Sequence, residues 1–561
     1  MNKRIPAFKR FFKAGYNEYF PWPERMLLCL AVLIAYASVW PDTFVFDDTN
    51  LIVLNTFLKH WSGLPKLLTS LNFGGGGLPG GFYRPVPMAA YFFVYQAFGP
   101  SSVAFHALNV SLQALNACLL HHFGIRAGFK KGVAFAAALL WAVHPLHTIN
   151  VAYMASTAEL LWSSFCLLGL ITLLPDFTSR KIWQAMIFFL LALGCKESAI
   201  VFPALAAITF FFVSNYRARV SAYLKMWPLW LLAAGYFATQ MVFMHKTGYT
   251  MDLSGDPIWF QDYTSNFTNR VLTSFATLPV YARLIVWPTG LHTARNFPIF
   301  STLQAWPPAA GALVIGLSFL HILWGQARRG LALSFGLLWF AVALSPYTGI
   351  AIPIDALISE GWLYLPTMGL FLAVMQTAAR FFEKKENVAR LLVLVLAFAL
   401  GITTFFQNEV WRNNETLYQN ILQNGGDTSQ LRSFLGVFYL EQQEFDKASE
   451  QFQYEVNHLN KRDTPQWAAE THINLAMALL HVSSDEGYNV TIDEVDRGLS
   501  SSPHIPEAIR ELGQAILVYP DCYFAHVVLS AVYRHQGNDQ MADFHRKQAE
   551  SILQKQANPS P

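Results

Sequence analysis

Residues 389–406 read ARLLVLVLAFALGITTFF, and their single charge, Arg390, stands at the very start. At 1.5 Å per residue a helix over this run is about 27 Å long, close to the ~30 Å hydrocarbon core of a bilayer. Upstream, further apolar runs occur at roughly 26–40, 103–123, 132–147, 158–175, 181–195, 197–214, 226–244, 308–325, 331–346 and 361–380. The shorter ones need interfacial Trp, Tyr or His at their ends to complete a crossing. Downstream of residue 407 the composition turns polar. Of the 561 residues, 53% are hydrophobic and 13% charged. A soluble domain carries about 25% charged residues, so lipid is the expected solvent for most of the chain. The fold expected is all-α: a polytopic transmembrane helical bundle of about eleven spans over 25–406, followed by a separate domain over 407–561.

Charge sets the expected topology. Lys3, Arg4, Lys9, Arg10 and Lys13 precede the first run, and no small-residue cleavage site follows it, so it reads as a retained signal anchor with 1–24 cytoplasmic. The stretch 270–288 is ambiguous, being bounded or interrupted by Arg270, Pro279, Arg283 and Pro288. If it does not cross, the clusters Arg126/Lys130/Lys131, Arg180/Lys181, Arg217/Arg219/Lys225, Arg328/Arg329 and Arg380/Lys384/Lys385/Arg390 all face the cytoplasm. If it crosses, the last two clusters face outward, against the positive-inside rule. The first arrangement puts loop 41–102 and everything after 407 on the non-cytoplasmic side. A net charge of +3, dispersed in short clusters, argues against a nucleic-acid partner. Cys29, Cys118, Cys166, Cys195 and Cys522 show no paired spacing and read as packing residues.

The C-terminal part carries a repeat with the roughly 34-residue period of tetratricopeptide units. Leu435-Gly436, Tyr439, Ala448 and Phe452 occupy its small and apolar positions, and Leu529, Tyr533, Gly537, Ala542 and Ala549 occupy them again. Leu475-Ala476 open a middle unit that Ala508, Ala515 and Pro520 close, after an insertion near 482–504. Small residues there let paired helices approach closely, and about three units is the minimum for a stable stack.

Polar residues gather at one membrane face. Phe46-Asp47-Asp48-Thr49-Asn50 follows the first run, and adjacent carboxylates at a membrane surface are costly without a cation, a proton or a donor. Asp-Asp-Thr-Asn is also good turn chemistry. In the functional reading, Asp47 or Asp48 takes a proton from an acceptor hydroxyl, or holds a divalent cation beside a phosphate. The glycine run from Gly74 to Gly81 lacks a Walker lysine and reads as a flexible loop rather than a nucleotide site. It leads to Tyr83-Arg84-Pro85, where Arg84 is a phosphate clamp or an interfacial anchor. His144-Pro145-Leu146-His147 is weak as a metal motif, since two ligands do not make a site, and also reads as a capped helix end. Glu159, Lys196-Glu197 and Glu360, with Tyr364 just beyond, lie on the same expected face. Together these residues suggest a site for an anionic, amphipathic ligand.

With these residues in order, the chain resembles the transmembrane and tetratricopeptide-repeat-containing protein O-mannosyltransferases and their bacterial relatives. The likeness rests on Phe46-Asp47-Asp48, Tyr83-Arg84-Pro85, His106-x-x-Asn109 with Asn116, and His144-Pro145-x-His147-Thr148. It continues through Lys196-Glu197-Ser198, Glu360-x-x-Leu363-Tyr364-Leu365-Pro366 and the terminal repeats. The resemblance implies a GT-C-type glycosyltransferase using a polyprenyl-phosphate-linked sugar at the non-cytoplasmic face. It implies Asp47 as base, with Asp48 helping. Arg84, His144, His147, Glu159, Lys196, Glu197, Glu360 and Tyr364 are then expected around the donor phosphate and substrates. It further implies membrane lipid as surroundings and a protein or glycan acceptor, with the repeats as a recognition surface. A bacterial inner membrane is expected ahead of the endoplasmic reticulum. Relatives tend to carry Glu, Arg and Glu-Arg where this chain has Ile149-Asn150, Thr157 and Glu360-Gly361. The sugar is therefore left open. Two rival readings are a membrane-anchored repeat scaffold and a transporter of lipid-linked sugar. Against them stand the size of the membrane part and the lack of related halves.

Overall fold

A chain segment in lipid has no water to satisfy its backbone amides, so helices that close their own hydrogen bonds are the economical solution. Every regular element among the described residues is helical. The computed structural model describes residues 22–76, 82–174, 177–213, 223–247, 263–325, 331–354, 356–459, 464–482, 499 and 502–557. The basic segment 1–21, Gly77, Gly80, Gly81, Arg217, Arg219, Arg328, Arg329 and most of the 482–504 insertion lie outside the described residues.

The chain divides into two compact units: Met1–Asp252 with Asp262–Thr416, and Leu253–Gln261 with Leu417–Pro561. The longer helices of the first are α1 (Trp22–Ala35), α2 (Pro85–Phe98), α3 (Ser102–Arg126), α4 (Lys131–Ala142), α5 (Thr157–Leu173), α6 (Ser179–Leu193) and α7 (Phe202–Val213). They continue as α8 (Trp227–Thr247), α9 (Phe267–Val286), α10 (Trp306–Gly325), α11 (Leu331–Leu344), α12 (Tyr364–Phe381) and α13 (Glu386–Asn408). Helix α14 (Asn414–Gln423) runs through the division at Thr416.

Five helical stretches among the described residues are long and apolar enough to cross a bilayer: Ser102–Arg126, Met154–Leu173, Trp306–Leu323, Glu360–Phe381 and Glu386–Trp411. Lys131–Ala142 and Pro145–Val151, bent by 56°, make a sixth if they form one broken span. The other expected spans are shorter or less apolar helices. The ambiguous 270–288 stretch lies in α9 up to Val286, and the buried side of that helix includes Thr273, Ser274 and Thr277. Only 11% of the apolar window is buried in Trp306–Leu323 and in Glu386–Trp411, against 67% in Met154–Leu173. Leu391, Val395, Phe398 and Phe406 thus present a bare apolar face, a surface that lipid solvates and water does not.

The interior of this unit is built around α3, which packs on α1, α4 and α5, while α12 packs on α4 and α11. His106, Asn109, Gln113 and Asn116 form one stripe on α3 at helical spacing, all fully buried. Three of them fasten the end of α4, the irregular chain after it and the start of α5. Asn109 Nδ2 donates to Val151 O and Tyr153 O (3.2 Å each), Gln113 Nε2 to Ala142 O (2.9 Å) and Asn116 Nδ2 to Leu160 O (3.0 Å). A helix broken in an apolar interior needs such donors for its freed carbonyls. Cys29 and Cys118, which sequence spacing does not pair, bring their sulfurs within 3.8 Å across α1 and α3 as free thiols.

The second unit contains α15 (Ser429–Glu441), α16 (Phe445–His458), α17 (Pro465–Leu479), α18 (Ile505–Val518), α19 (Tyr523–His535) and α20 (Asp539–Ala557). Each successive pair of these helices is in contact. Gly436 explains one close approach: a Cβ there would lie 2.6 Å from the Phe452 ring.

Candidate functional site

The acidic turn is built on an irregular backbone. Phe46 sits at φ 52°, a left-handed conformation that a residue with a Cβ adopts only at a cost of about 1–2 kcal/mol. Two carboxyls follow with different surroundings. Asp48 is fully buried, its oxygens accepting from the amides of Val45 (3.2 Å) and Ala155 (2.7 Å). Burial pushes its carboxyl up to about 8, although those amides pull the other way. Asp48 thereby pins the turn onto the 153–157 segment that leads into α5. Asp47 is only partly buried, and its carboxyl lies within electrostatic reach of the Tyr153 side chain. Burial raises its pKa and the Tyr153 side chain lowers it. Of the two, Asp47 is the carboxyl that the backbone leaves available.

Tyr91 of α2 connects this turn to a band of charge. Its hydroxyl donates to Met154 O (2.9 Å), and it lies within electrostatic reach of both Asp48 and Arg84. Arg84 forks onto Glu197, with Nε to Oε2 at 3.2 Å and NH2 to Oε1 at 2.8 Å. Lys196 Nζ lies 3.0 Å from Glu159 Oε2 and 5.0 Å from the centre of the Tyr347 ring. Glu159 also accepts from Tyr347 OH (2.7 Å) and Trp162 Nε1 (2.5 Å). Each cation of the band thus has its own carboxylate, so neither Arg84 nor Lys196 stands uncompensated. Glu197 is the open member, with 40% of its side chain exposed.

Beside the Arg84–Glu197 pair runs an apolar groove of about 590 Å³ between α6 and α8. Trp183, Leu190 and Leu231 line it, and Tyr83, Gly194 and Tyr236 bring it to the charged band. Tyr83 and Gly194 are close chain neighbours of Arg84 and Lys196, and Tyr236 lies within the electrostatic reach of Arg84 and Glu197.

The remaining candidates form two other groups. Glu360 pairs with Arg295 and accepts from the His292 amide (2.9 Å). Trp362, two residues on, stacks on Tyr347 with centroids 5.2 Å apart and so meets the band from the other side. His144 caps the turn Pro145–His147, its Nδ1 accepting from Leu146 N (3.2 Å) while Nε2 meets Ile285 O (3.0 Å). His147 lies fully buried against Trp141 and Tyr364. The Tyr364 hydroxyl joins Gln113 and Asn116. Tyr364 thus belongs to the interior network of α3 rather than to the charged band. Among the described residues no three His, Cys, Asp or Glu side chains converge as a cage for a divalent cation.

Sequence comparison adds an independent line. The human protein O-mannosyl-transferase TMTC4 is 24% identical over 460 residues, covering 72% of this chain and 62% of its own length. Human protein O-mannosyl-transferase TMTC1 is 25% identical over 460 residues, or 72% of this chain and 51% of the relative. Mouse protein O-mannosyl-transferase TMTC3 is 25% identical over 475 residues, or 75% and 50%.

The chain is a distant homologue of the protein O-mannosyl-transferases.

It spans about half to three-fifths of the length of these curated relatives. No family model matches it. With its long apolar helices, this O-mannosyl-transferase homologue has the character of a multi-pass membrane protein.

Several residues of the site escape sequence reading. Tyr91, Tyr153 and Tyr347 look like ordinary interfacial aromatics, and Arg295 stands in an otherwise featureless stretch. Only the Asn and Gln stripe of α3 leaves a signal: amides at helical spacing in an apolar run need buried partners.

Proposed function

We propose that this chain is a GT-C-type membrane glycosyltransferase that moves a sugar from a polyprenyl-phosphate donor to an acceptor hydroxyl on the non-cytoplasmic face. The observation that carries this reading is one available carboxyl, Asp47, in a turn that Tyr91 links to a charge-balanced band, which an apolar groove meets at its edge. The distant protein O-mannosyl-transferase homologues support the reaction class.

In this reading the isoprenoid tail lies in the groove and the phosphate meets Arg84, displacing the half-open Glu197. The acceptor oxygen attacks the anomeric carbon, the bond from that carbon to the phosphate oxygen breaks, and Asp47 takes the hydroxyl proton. The departing polyprenyl phosphate carries its charge to Arg84 and Lys196. A partly desolvated Asp47 suits the task, because a raised carboxyl pKa strengthens the base near neutral pH. Glu159, Tyr347 and Trp162 hold Lys196 in place. We further read residues 25–406 as about eleven spans, with loop 41–102 and residues 407–561 non-cytoplasmic. The helix pairs α15/α16, α17/α18 and α19/α20 fit about three tetratricopeptide repeats, with a protein acceptor as their ligand. A glycan acceptor presents the same hydroxyl to the site.

The test is transfer of radiolabelled sugar from polyprenyl-phosphate donors in membranes, comparing wild type with Asp47→Asn. Label moved by wild type and lost in the variant at equal expression supports the assignment. Equal labelling by both removes Asp47 from the chemistry.

A further inference from the structure

We infer that residues 408–414, between the last long apolar helix and the C-terminal helices, clamp the acidic turn, and that Asn414 is the positioning residue for Asp47.

The first loop and this segment run side by side through a series of specific contacts. Asn408 Nδ2 donates to Ala35 O (3.1 Å) and to Ser38 Oγ (3.1 Å). The amide and the hydroxyl of Thr43 both donate to Arg412 O, at 2.9 and 3.1 Å. Last, the Phe46 amide donates to Asn414 Oδ1 at 2.9 Å. This final bond falls on the residue held at φ 52°. A left-handed residue bearing a Cβ is disfavoured on the order of tenfold, and one hydrogen bond offsets about that much. Asn414 therefore supplies one interaction that keeps Phe46 turned over, beside the Thr49 amide that donates to Phe46 O (3.3 Å), and the turn at Phe46 sets where Asp47 lies.

Asn414 is itself held. Asn413 and Thr416 cap α14 reciprocally, Thr416 N donating to Asn413 Oδ1 (2.9 Å) and Asn413 N to Thr416 Oγ1 (3.2 Å). Asn414 is thus the first residue of a fixed helix end, free to spend its side chain on Phe46. A second grip comes from Trp411, buried and stacked on Tyr153 with centroids 5.3 Å apart and planes 21° apart. Tyr153 is the side chain within electrostatic reach of Asp47. One segment therefore contacts both neighbours of Asp47, the Phe46 amide that precedes it and the Tyr153 ring.

The catalytic half of this inference rests on Asp47 being the base, whereas the clamp itself does not. The experiment uses the full chain in lipid nanodiscs and has two readouts. Hydrogen exchange over residues 42–50 compares wild type with Asn414→Ala. We expect the Phe46 amide to exchange about tenfold faster in the variant, its hydrogen bond to Asn414 being lost, while Thr43 keeps its bond to Arg412 O. Unchanged exchange overturns the clamp, whatever the activity. Sugar transfer is then measured for Asn414→Ala and for Phe46→Gly/Asn414→Ala. We expect kcat to fall about tenfold in the first with the donor KM unchanged, and to recover in the second, since glycine adopts positive φ without help. Faster exchange with undiminished kcat, in an enzyme that Asp47→Asn inactivates, overturns the positioning role. A full-activity Asp47→Asn refutes the base instead, and exchange alone then decides the clamp.

Discussion

Lys196→Met tests the charged band most directly. The ammonium sits 3.0 Å from Glu159 Oε2, with side chains 14% and 5% exposed. At an effective dielectric near 20, two unit charges at that separation attract by about 5 kcal/mol. Much of this offsets the desolvation of the pair, but removing one partner leaves the other stranded, which costs about 3–5 kcal/mol. Methionine keeps the length and the apolar stem of lysine, so packing against Tyr347 persists while the charge is lost. Lys196→Met and Glu159→Gln should each destabilise the membrane unit by about 3 kcal/mol. The double variant should cost about 2–3 kcal/mol less than the sum of the two, because no charge remains unpaired. The measurement is a double-mutant cycle from reversible denaturant titration in mixed micelles. Glu159 also serves Trp162 and Tyr347, so its single substitution is the less clean arm, and the coupling energy is the deciding number. A coupling under about 0.5 kcal/mol would refute the reasoning, since additive costs mean that the two groups do not share one desolvated contact.

Three further outcomes follow from the geometry. Because burial raises the Asp47 pKa, transfer should lose activity on acidification at a pH above the ordinary aspartate value of about 4; a pH profile with its acid limb at or below that value contradicts the placement. Gly75→Ala would put a Cβ 1.9 Å from Asn55 Oδ1 and 2.9 Å from Phe57 Cγ, so it should loosen loop 50–76 by about 1–3 kcal/mol, read as faster limited proteolysis there. In the second unit, His526 and His545 meet at 2.9 Å through their Nδ1 atoms, and burial lowers both, His545 to about 4. The folded pair binds fewer protons than the unfolded chain between about pH 4 and 6.5, so stability should fall as pH drops through that window; His545→Phe should flatten the dependence in thermal melts.

Apolar runs such as 389–406 are legible because a lipid-facing helix needs only length and composition, with no partner to specify it. The acidic turn is legible for a related reason: two carboxylates in a row are conspicuous wherever they fall. Pairings are not. Nothing local to Glu159 names Tyr347 as its donor, and nothing local to Glu360 names Arg295, because each partner arrives through helix packing across long stretches of chain. The same limit explains Tyr364. Its motif reads as a site signature, yet its hydroxyl closes a network with Gln113 and Asn116 that holds a broken helix in place. Asp48 divides from Asp47 only in three dimensions, where two backbone amides take up one carboxylate and leave its neighbour.

The segment after α13 also bears on any attempt to dissect the chain. Composition changes at residue 407, which is where a deletion or a graft would naturally be cut. Such a cut removes Asn408, Trp411, Arg412 and Asn414 together, all of which touch the first loop or its neighbour. Inactivity of that truncated form would then be blamed on lost acceptor recognition when the loop near the N-terminus had simply come undone. A cut after α14, beyond Gln423, keeps the grip and separates the two explanations.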